Sequence, residues 1–400
     1  MKNTLGFHSL CAQELPDKRT TTPHNLPIYA TSSFNFETIE QGIDVFSGKS
    51  EGHIYGRFAN PTIDAAAEKL AQLESCGQDF EAMTYLFSSG MAAISAVFVG
   101  LLKSGDKVLT QPNIYGGTTS LMRDILAPLG IETVYADLRD SNKVEHFLYN
   151  DPAIQMVYLE TPTNPTLDCV DIVATANLTK QYTKWLVVDN TFATPYLQQP
   201  LALGADFVVH STTKYLNGQG NSVAGAVVGK DVDVMQERIW KVMKFMGGNC
   251  NAWDAWLTYN GMKTLALRMK QHSANALQVA RTLARHEKVK HINYIGLDTH
   301  PDHSLAKQQM RDFGGMLSFE LKGGLEAGKT FMNHLQFCTI APTLGDMDTL
   351  VLHPASMSHI GVAREVRIAS GITDGLIRIS VGIENAEDIL VDVMTALSAS

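Results

Sequence analysis

A chain of 400 residues with 45% hydrophobic content can bury a full core and exceeds the size at which a single core usually stops growing, so about two domains are expected. A net charge of −9 without a basic run excludes a nucleic-acid binder, whose phosphates demand clustered Lys and Arg. The longest apolar run, Met91 to Leu102, is far short of the ~20 residues that a membrane span needs, so no membrane role is expected.

The first residues, Met1 to Cys11, lack both a continuous apolar stretch and a cleavage site, so no signal peptide is read and a cytoplasmic location is expected. The 5 cysteines are odd in number, widely spaced and without a Cys-x-x-Cys pair, which reads as reduced thiols. The 13 histidines never fall in a helical ligand pair, and no metal is expected.

Residues 1–60 form a Pro- and Thr-rich arm with a short amphipathic stretch from Ile39 to Phe46, poorly suited to fold alone and expected to lie on a partner. Its end, Tyr55-Gly56-Arg57-Phe58-Ala59-Asn60-Pro61-Thr62, offers a tyrosine and an arginine suited to a phosphate. From 61 to 250 the pattern alternates. A helix is predicted from Thr62 to Glu74, a strand near Tyr85 and a helix from Gly90. Strands follow at Lys107 to Thr110, Glu132 to Ala136, Gln155 to Glu160, Trp185 to Asp189, Phe207 to His210 and Gly225 to Gly229. Short strands between helical stretches imply an α/β fold with a mostly parallel, doubly wound sheet.

Within this region the strand near Tyr85 turns through Ser88-Ser89-Gly90 into a helix. The free N–H groups and positive dipole end of that helix suit a phosphate on Ser89, Gly90 and Met91, although alone this reads equally as an ordinary serine cap. The strand Trp185 to Asp189 ends in a carboxylate, the usual place for a functional side chain in a parallel sheet; Asp189 is a partner for a pyridinium nitrogen or a helix cap. The strand Phe207 to His210 runs into Ser211-Thr212-Thr213-Lys214. Small hydroxyls followed by one lysine is the arrangement that holds pyridoxal phosphate, the lysine covalently and the hydroxyls through phosphate. A lysine becomes a nucleophile when desolvation or a second cation lowers its pKa. An isolated Ser-Thr-Thr-Lys is as well read as a surface lysine; Asp189 and the Ser-Ser-Gly turn decide for the cofactor. The stretch Gly218 to Gly225 lacks Gly-x-Gly-x-x-Gly spacing and is not read as a dinucleotide site.

After residue 250 a long helical stretch, Trp253 to His286, leads to short strands at Gly315 to Leu321 and Leu376 to Val381 and a closing helix from Asn385. Residues 251–400 are thus expected to form a smaller α+β domain that completes a substrate cleft, with Arg378 in it. Read alone, Arg378 could equally be a strand residue exposed on one face.

Taken together, these segments resemble the Cys/Met-metabolism family of pyridoxal-phosphate enzymes. The matching segments run from Tyr55-Gly56-Arg57 through Ser88-Ser89-Gly90-Met91, Tyr115-Gly116-Gly117-Thr118, Glu160-Thr161-Pro162-Thr163-Asn164-Pro165, Val188-Asp189-Asn190 and Ser211-Thr212-Thr213-Lys214. They continue to His353-Pro354-Ala355-Ser356-Met357-Ser358-His359 and Ile377-Arg378-Ile379-Ser380, in the family's order. The resemblance implies a fold type I transferase in which Lys214 holds pyridoxal 5'-phosphate and shuttles protons, Asp189 meets the pyridine nitrogen, and Tyr115 stacks on the ring and serves as acid or base near the γ-leaving group. It implies that Asn164 bonds the cofactor's phenolic oxygen, that Ser211 and Thr213 join Ser89, Gly90 and Met91 at the phosphate, and that Tyr55 and Arg57 reach that phosphate from the neighbouring subunit. Arg378, with Thr343 beside it, would bind the substrate α-carboxylate. A homo-oligomer, usually a dimer of dimers, follows from the same resemblance.

Cystathionine-handling members usually carry a glutamate just before the Ser-Leu-Gly of their carboxylate-binding loop, where this chain has Pro342 before Thr343-Leu344-Gly345. Many methionine γ-lyases carry a cysteine where this chain has Gly117. The expected reaction is γ-elimination of methionine or homocysteine to 2-oxobutanoate, ammonia and a thiol. Sulfhydrylation of O-acetyl- or O-succinylhomoserine, or cystathionine γ-synthesis, is the alternative. The intact set Lys214, Asp189, Tyr115 and Arg378 argues against a non-catalytic fold relative.

Overall fold

The computed structural model describes residues 5–13 and 23–400; the rest of the expected arm, 1–4 and 14–22, lies outside the described residues. Seven strands build the larger sheet: β1 (Met83–Phe87), β2 (Lys107–Thr110), β3 (Glu132–Tyr135), β4 (Ile154–Glu160), β5 (Trp185–Asp189), β6 (Phe207–His210) and β7 (Gly225–Gly229). Their order is β1-β7-β6-β5-β4-β2-β3. β3, β2, β4, β5 and β6 run parallel, and β7 pairs antiparallel with both β6 and β1. The central strands are apolar runs because helices cover both faces, which leaves no solvated side to alternate toward. The carboxyl ends of β4, β5 and β6 therefore open on one edge, each delivering one polar residue: Glu160, Asp189 and His210.

Two helices are set by their caps. Asn60 accepts the Thr62 N–H at 2.9 Å and Pro61 fills the first turn of helix Pro61–Glu74. Ser89 accepts the Ala92 N–H at 3.1 Å and starts helix Gly90–Leu101.

The second sheet holds β8 (Val289–Asn293), β9 (Met316–Leu321), β10 (Thr339–Ile340), β11 (Leu350–Leu352) and β12 (Leu376–Ser380), in the order β10-β11-β12-β9-β8. It carries its own core, in which Phe319, Phe331, Ile377 and Ile379 pack with the closing helix Ala386–Ala399. The long helical stretch expected from Trp253 to His286 is two helices, Ala252–Met262 and Leu265–Leu283. The break has a local cause: the buried Arg268 guanidinium takes the Gly261 carbonyl at 2.8 Å and the Thr264 hydroxyl at 3.0 Å, and the chain tightens between Gly261 and Thr264. Arg268 also bonds the Tyr215 carbonyl at 2.7 Å, so the break fastens these helices beneath the loop that carries Lys214. No helix of the described residues is long and apolar enough to cross a membrane. All five cysteines are free thiols.

Candidate active site

One cavity of about 280 Å³ gathers Ser89, Gly90, Met91, Tyr115, Asn164, Asp189, Ser211, Thr213, Lys214 and Arg378, ten of the residues picked from the sequence. The large sheet supplies all but Arg378, which comes from β12 of the small one. Thr343 stands on the loop after β10 and touches two of them: its hydroxyl accepts from Lys214 Nζ at 2.8 Å and its carbonyl from Arg378 Nη2 at 2.8 Å. Burial and the nearby Arg378 charge push the Lys214 amine below its usual range, the direction a nucleophilic lysine needs.

At one end of the cavity the start of helix Gly90–Leu101 presses on two other elements. A Cβ at Gly90 would lie 2.8 Å from the Ser211 Cβ, and one at Gly225 would lie 2.2 Å from the Ser89 carbonyl oxygen and 2.7 Å from the Gly90 Cα. Only glycines permit this approach, which places the Ser211 and Thr213 side chains beside free helix N–H groups. The result is a small anion cradle. At the other end Asp189 accepts the Thr191 N–H at 3.0 Å and the Tyr158 hydroxyl at 3.2 Å, while burial pushes its carboxyl pKa up. A desolvated, half-buried carboxylate in the cavity wall calls for a positive partner, which a protonated ring nitrogen would supply. Tyr115, half exposed, borders the space between cradle and carboxylate, and the residues present fit a phosphorylated pyridine anchored on Lys214.

Arg378 is not the half-exposed strand residue that its alternation also allowed. Every residue of β12 is buried, because β11 and β9 flank it and helices cover it. Its Nη1 donates to Asn164 Oδ1 at 3.3 Å, its Nε has no protein partner, and burial lowers its pKa to about 10. No carboxylate of the described residues forms an ion pair with it. A desolvated guanidinium without an ion-pair partner at a cavity wall has the chemistry to receive a carboxylate.

Tyr55 and Arg57 are not brought to this cavity within one chain. Tyr55 is exposed, and Arg57 bonds the Lys244 carbonyl and lines a separate groove with Phe58 and Trp240. The sequence reading named Glu160 only as part of a motif; the structure puts it in the cavity wall, its Oε1 accepting the Tyr115 N–H at 2.7 Å. Thr191 was not named, yet its hydroxyl accepts the Ser211 N–H at 2.9 Å while its own N–H holds Asp189. The signal for Glu160 was its place at the end of an apolar strand, like Asp189 on the next.

Comparison with known proteins agrees with this geometry. The model of the Cys/Met metabolism PLP-dependent enzymes matches residues 8–398. The chain is 45% identical over 397 residues to an L-methionine gamma-lyase of Fusobacterium nucleatum, covering 99% of this chain and 98% of that one. It is 43% identical to a cystathionine gamma-lyase of Bacillus subtilis, with 99% of each covered. A solved cystathionine gamma synthase from Xanthomonas oryzae superposes with a TM-score of 0.90 at 36% identity, covering 99% of this chain and 98% of that one. With Lys214, Asp189 and Arg378 lining one cavity and the family match running nearly end to end, the chain belongs to the Cys/Met metabolism family of pyridoxal-phosphate-dependent enzymes.

Proposed function

We propose that this enzyme is a C–S lyase that cleaves methionine or homocysteine at Cγ, releasing 2-oxobutanoate, ammonia and a thiol. The observation that carries this reading is the lining of the cavity. Its ionisable side chains besides Tyr115 are Glu160, Asp189, Lys214 and Arg378, and the remaining wall includes Met91, Ile94, Phe192, Val223, Pro342 and Leu344. One carboxylate receptor and an apolar wall suit a substrate with one amino-acid head and an uncharged thioether tail. Cystathionine would bring a second charged head to a wall where Pro342 offers neither charge nor N–H.

Pyridoxal phosphate, when bound, supplies the electron sink that makes the substrate Cα proton acidic. The chain supplies the rest. Arg378 and Thr343 hold the α-carboxylate. The Lys214 amine, neutral once released and steadied by the Thr343 hydroxyl, takes the Cα proton and later moves protons at Cβ. Tyr115 protonates the departing sulfur. Asp189 holds the cofactor's ring nitrogen, Asn164 its phenolic oxygen, and Ser89, Gly90, Met91, Ser211 and Thr213 its phosphate.

Among the described residues no arginine of this chain lines the cradle, and a dianionic phosphate wants one. Tyr55 and Arg57 from a neighbouring copy would supply it, in a homo-oligomer built as a dimer of dimers with an arm at 1–60, a cofactor domain at 61–250 and a smaller domain at 251–400. The two separate sheets support that division, and a cytoplasmic setting suits five reduced thiols.

The test is 2-oxobutanoate release by the cofactor-loaded protein given methionine alone, beside O-acetylhomoserine plus sulfide assayed for homocysteine. Rapid release from methionine is expected. Slow release with rapid homocysteine formation would make the enzyme a sulfhydrylase and overturn the proposal.

A further inference from the structure

Glu160 and Asp189 are register partners on the adjacent parallel strands β4 and β5, and both line the cavity. Neither has a cation bound to it by a salt bridge among the described residues. Two like charges on neighbouring buried positions oppose each other, so such a pair tends to share a single charge. The donors around the two groups are unequal. Asp189 receives the Thr191 N–H at 3.0 Å and the Tyr158 hydroxyl at 3.2 Å. His210 on β6, held at 2.6 Å by the buried Glu74, adds a pull toward the charged form of Asp189. Glu160 receives the Tyr115 N–H at 2.7 Å, and burial and the Asp189 charge both push its pKa well up. The other ionisable groups of the neighbourhood, Tyr115, Lys214 and Arg378, lie on the same cavity wall.

We infer that Glu160 carries a proton in the working enzyme, so that the single negative charge of the pair rests on Asp189. This builds on the reading of Asp189 as the ring-nitrogen partner, which needs that carboxylate ionised. A neutral Glu160 then has two tasks. It anchors the backbone of Tyr115 through its carbonyl oxygen without adding a second negative charge beside the cofactor ring. Its own backbone is fixed in turn by Gln111, whose Nε2 donates to the Glu160 carbonyl at 2.9 Å. Glu160 is a positioning residue, acting on Tyr115 and on the charge of Asp189.

Infrared spectroscopy reads this directly, because a neutral carboxylic acid has a C=O stretch that an ionised carboxylate lacks. The experiment uses the holoenzyme at neutral pH, in three preparations: unlabelled, with carboxyl-labelled glutamate and with carboxyl-labelled aspartate. A buried neutral-acid band that shifts with the glutamate label, is absent from Glu160→Gln and fades as the pH is raised is the expected result. Should Glu160→Gln fail to fold, Glu160→Asp decides in its place: the band should move from the glutamate label to the aspartate label, and a band that stays with the glutamate label would belong to another residue, such as the buried Glu74, and overturn the inference. A band that shifts with the aspartate label and persists in Glu160→Gln but is lost in Asp189→Asn would place the proton on Asp189, overturning both the inference and the assigned role of Asp189. Absence of any buried neutral-acid band would overturn the inference alone and leave Asp189 as the ionised partner of the ring.

Discussion

Arg378 offers a test in which stability and activity should part. The side chain is 5% exposed, its Nε is unpartnered, and its pKa is lowered from the ordinary 12.5 to about 10 by burial. A fall of roughly 2.5 units at about 1.4 kcal/mol per unit means that keeping the guanidinium charged in the cofactor-free fold costs on the order of 3 kcal/mol. Arg378→Gln removes that cost and forfeits hydrogen bonds to the Thr343 carbonyl and Asn164 Oδ1, each worth about 1–2 kcal/mol. The two nearly cancel, so chemical denaturation of the cofactor-free variant should give a stability within about 2 kcal/mol of wild type. Binding of the substrate carboxylate should suffer far more. Truncating one side of a buried charge pair costs about 2–5 kcal/mol, so kcat/KM for methionine should fall between roughly 30-fold and several thousand-fold. Arg378→Lys should recover only part of this, since an ammonium cannot form the planar fork. A variant that loses several kcal/mol of stability while keeping its KM would refute the reasoning and make Arg378 a structural residue.

The glycine contact at the cradle predicts that Gly225→Ala weakens both fold and cofactor affinity, because its Cβ would meet backbone that cannot swing aside. A loss of about 1–3 kcal/mol is expected in denaturation, with weaker cofactor uptake by absorbance titration, whereas Gly361→Ala, with nothing within 4 Å of its Cβ, should be neutral. A Gly225→Ala protein as stable and as tightly loaded as wild type would contradict the contact. His272 sets an acid limit on stability. It is fully buried, its Nδ1–H donates to the Val381 carbonyl at 2.7 Å, and burial lowers its pKa to about 4. Between about 4 and the unfolded value near 6.5 the unfolded chain holds the extra proton. Stability from this group is therefore present above the unfolded pKa and falls by about 3 kcal/mol as the pH drops to the folded value. His272→Asn keeps a donor without the titration, so its denaturation midpoint should decline less than that of wild type over this range; parallel declines would exclude His272 as the cause.

What was legible in the sequence follows from what each pattern costs to disobey. The strands Lys107–Thr110, Trp185–Asp189 and Phe207–His210 were read correctly because a parallel strand covered on both faces is mostly apolar, and the antiparallel Gly225–Gly229, buried at every residue, reads the same way. Ser89 was readable as a helix start because a first turn needs an acceptor for its free N–H groups, while Asn60, which caps the helix expected from Thr62, was not singled out. Other features are set by contacts far apart in the chain. Nothing local in Gly261-Met262-Lys263-Thr264 announces a helix break, since the group that takes the Gly261 carbonyl is Arg268 one turn into the next helix, itself held by the Tyr215 carbonyl. β8, with the polar run Val289-Lys290-His291-Ile292-Asn293, is an edge strand whose pattern carries little apolar signal. β10 and β11 are two and three residues long, shorter than any period can reveal.

The same distinction explains why the cofactor half of the site was easier to read than the reaction. Lysine, aspartate and the hydroxyls stand at the ends of consecutive strands, so their local segments name them. The contacts that tune them join separate elements: Thr343 meets both Lys214 and Arg378, one through its side chain and the other through its carbonyl. The loop after β10 therefore ties Lys214 to Arg378. Its Thr349 end is fastened by Glu384, and its Gly345 N–H by the Ser380 hydroxyl at 2.8 Å on the strand of Arg378. On the proposed reading, a substrate carboxylate on Arg378 would lie one contact from Thr343 and two from the Lys214 amine. Pro342, one residue before, lines the cavity and offers no N–H or charge to a second polar head. On the proposed reading, one short loop bears on both the substrate tail and the placing of Lys214, so a change at Pro342 or Thr343 should alter both specificity and rate.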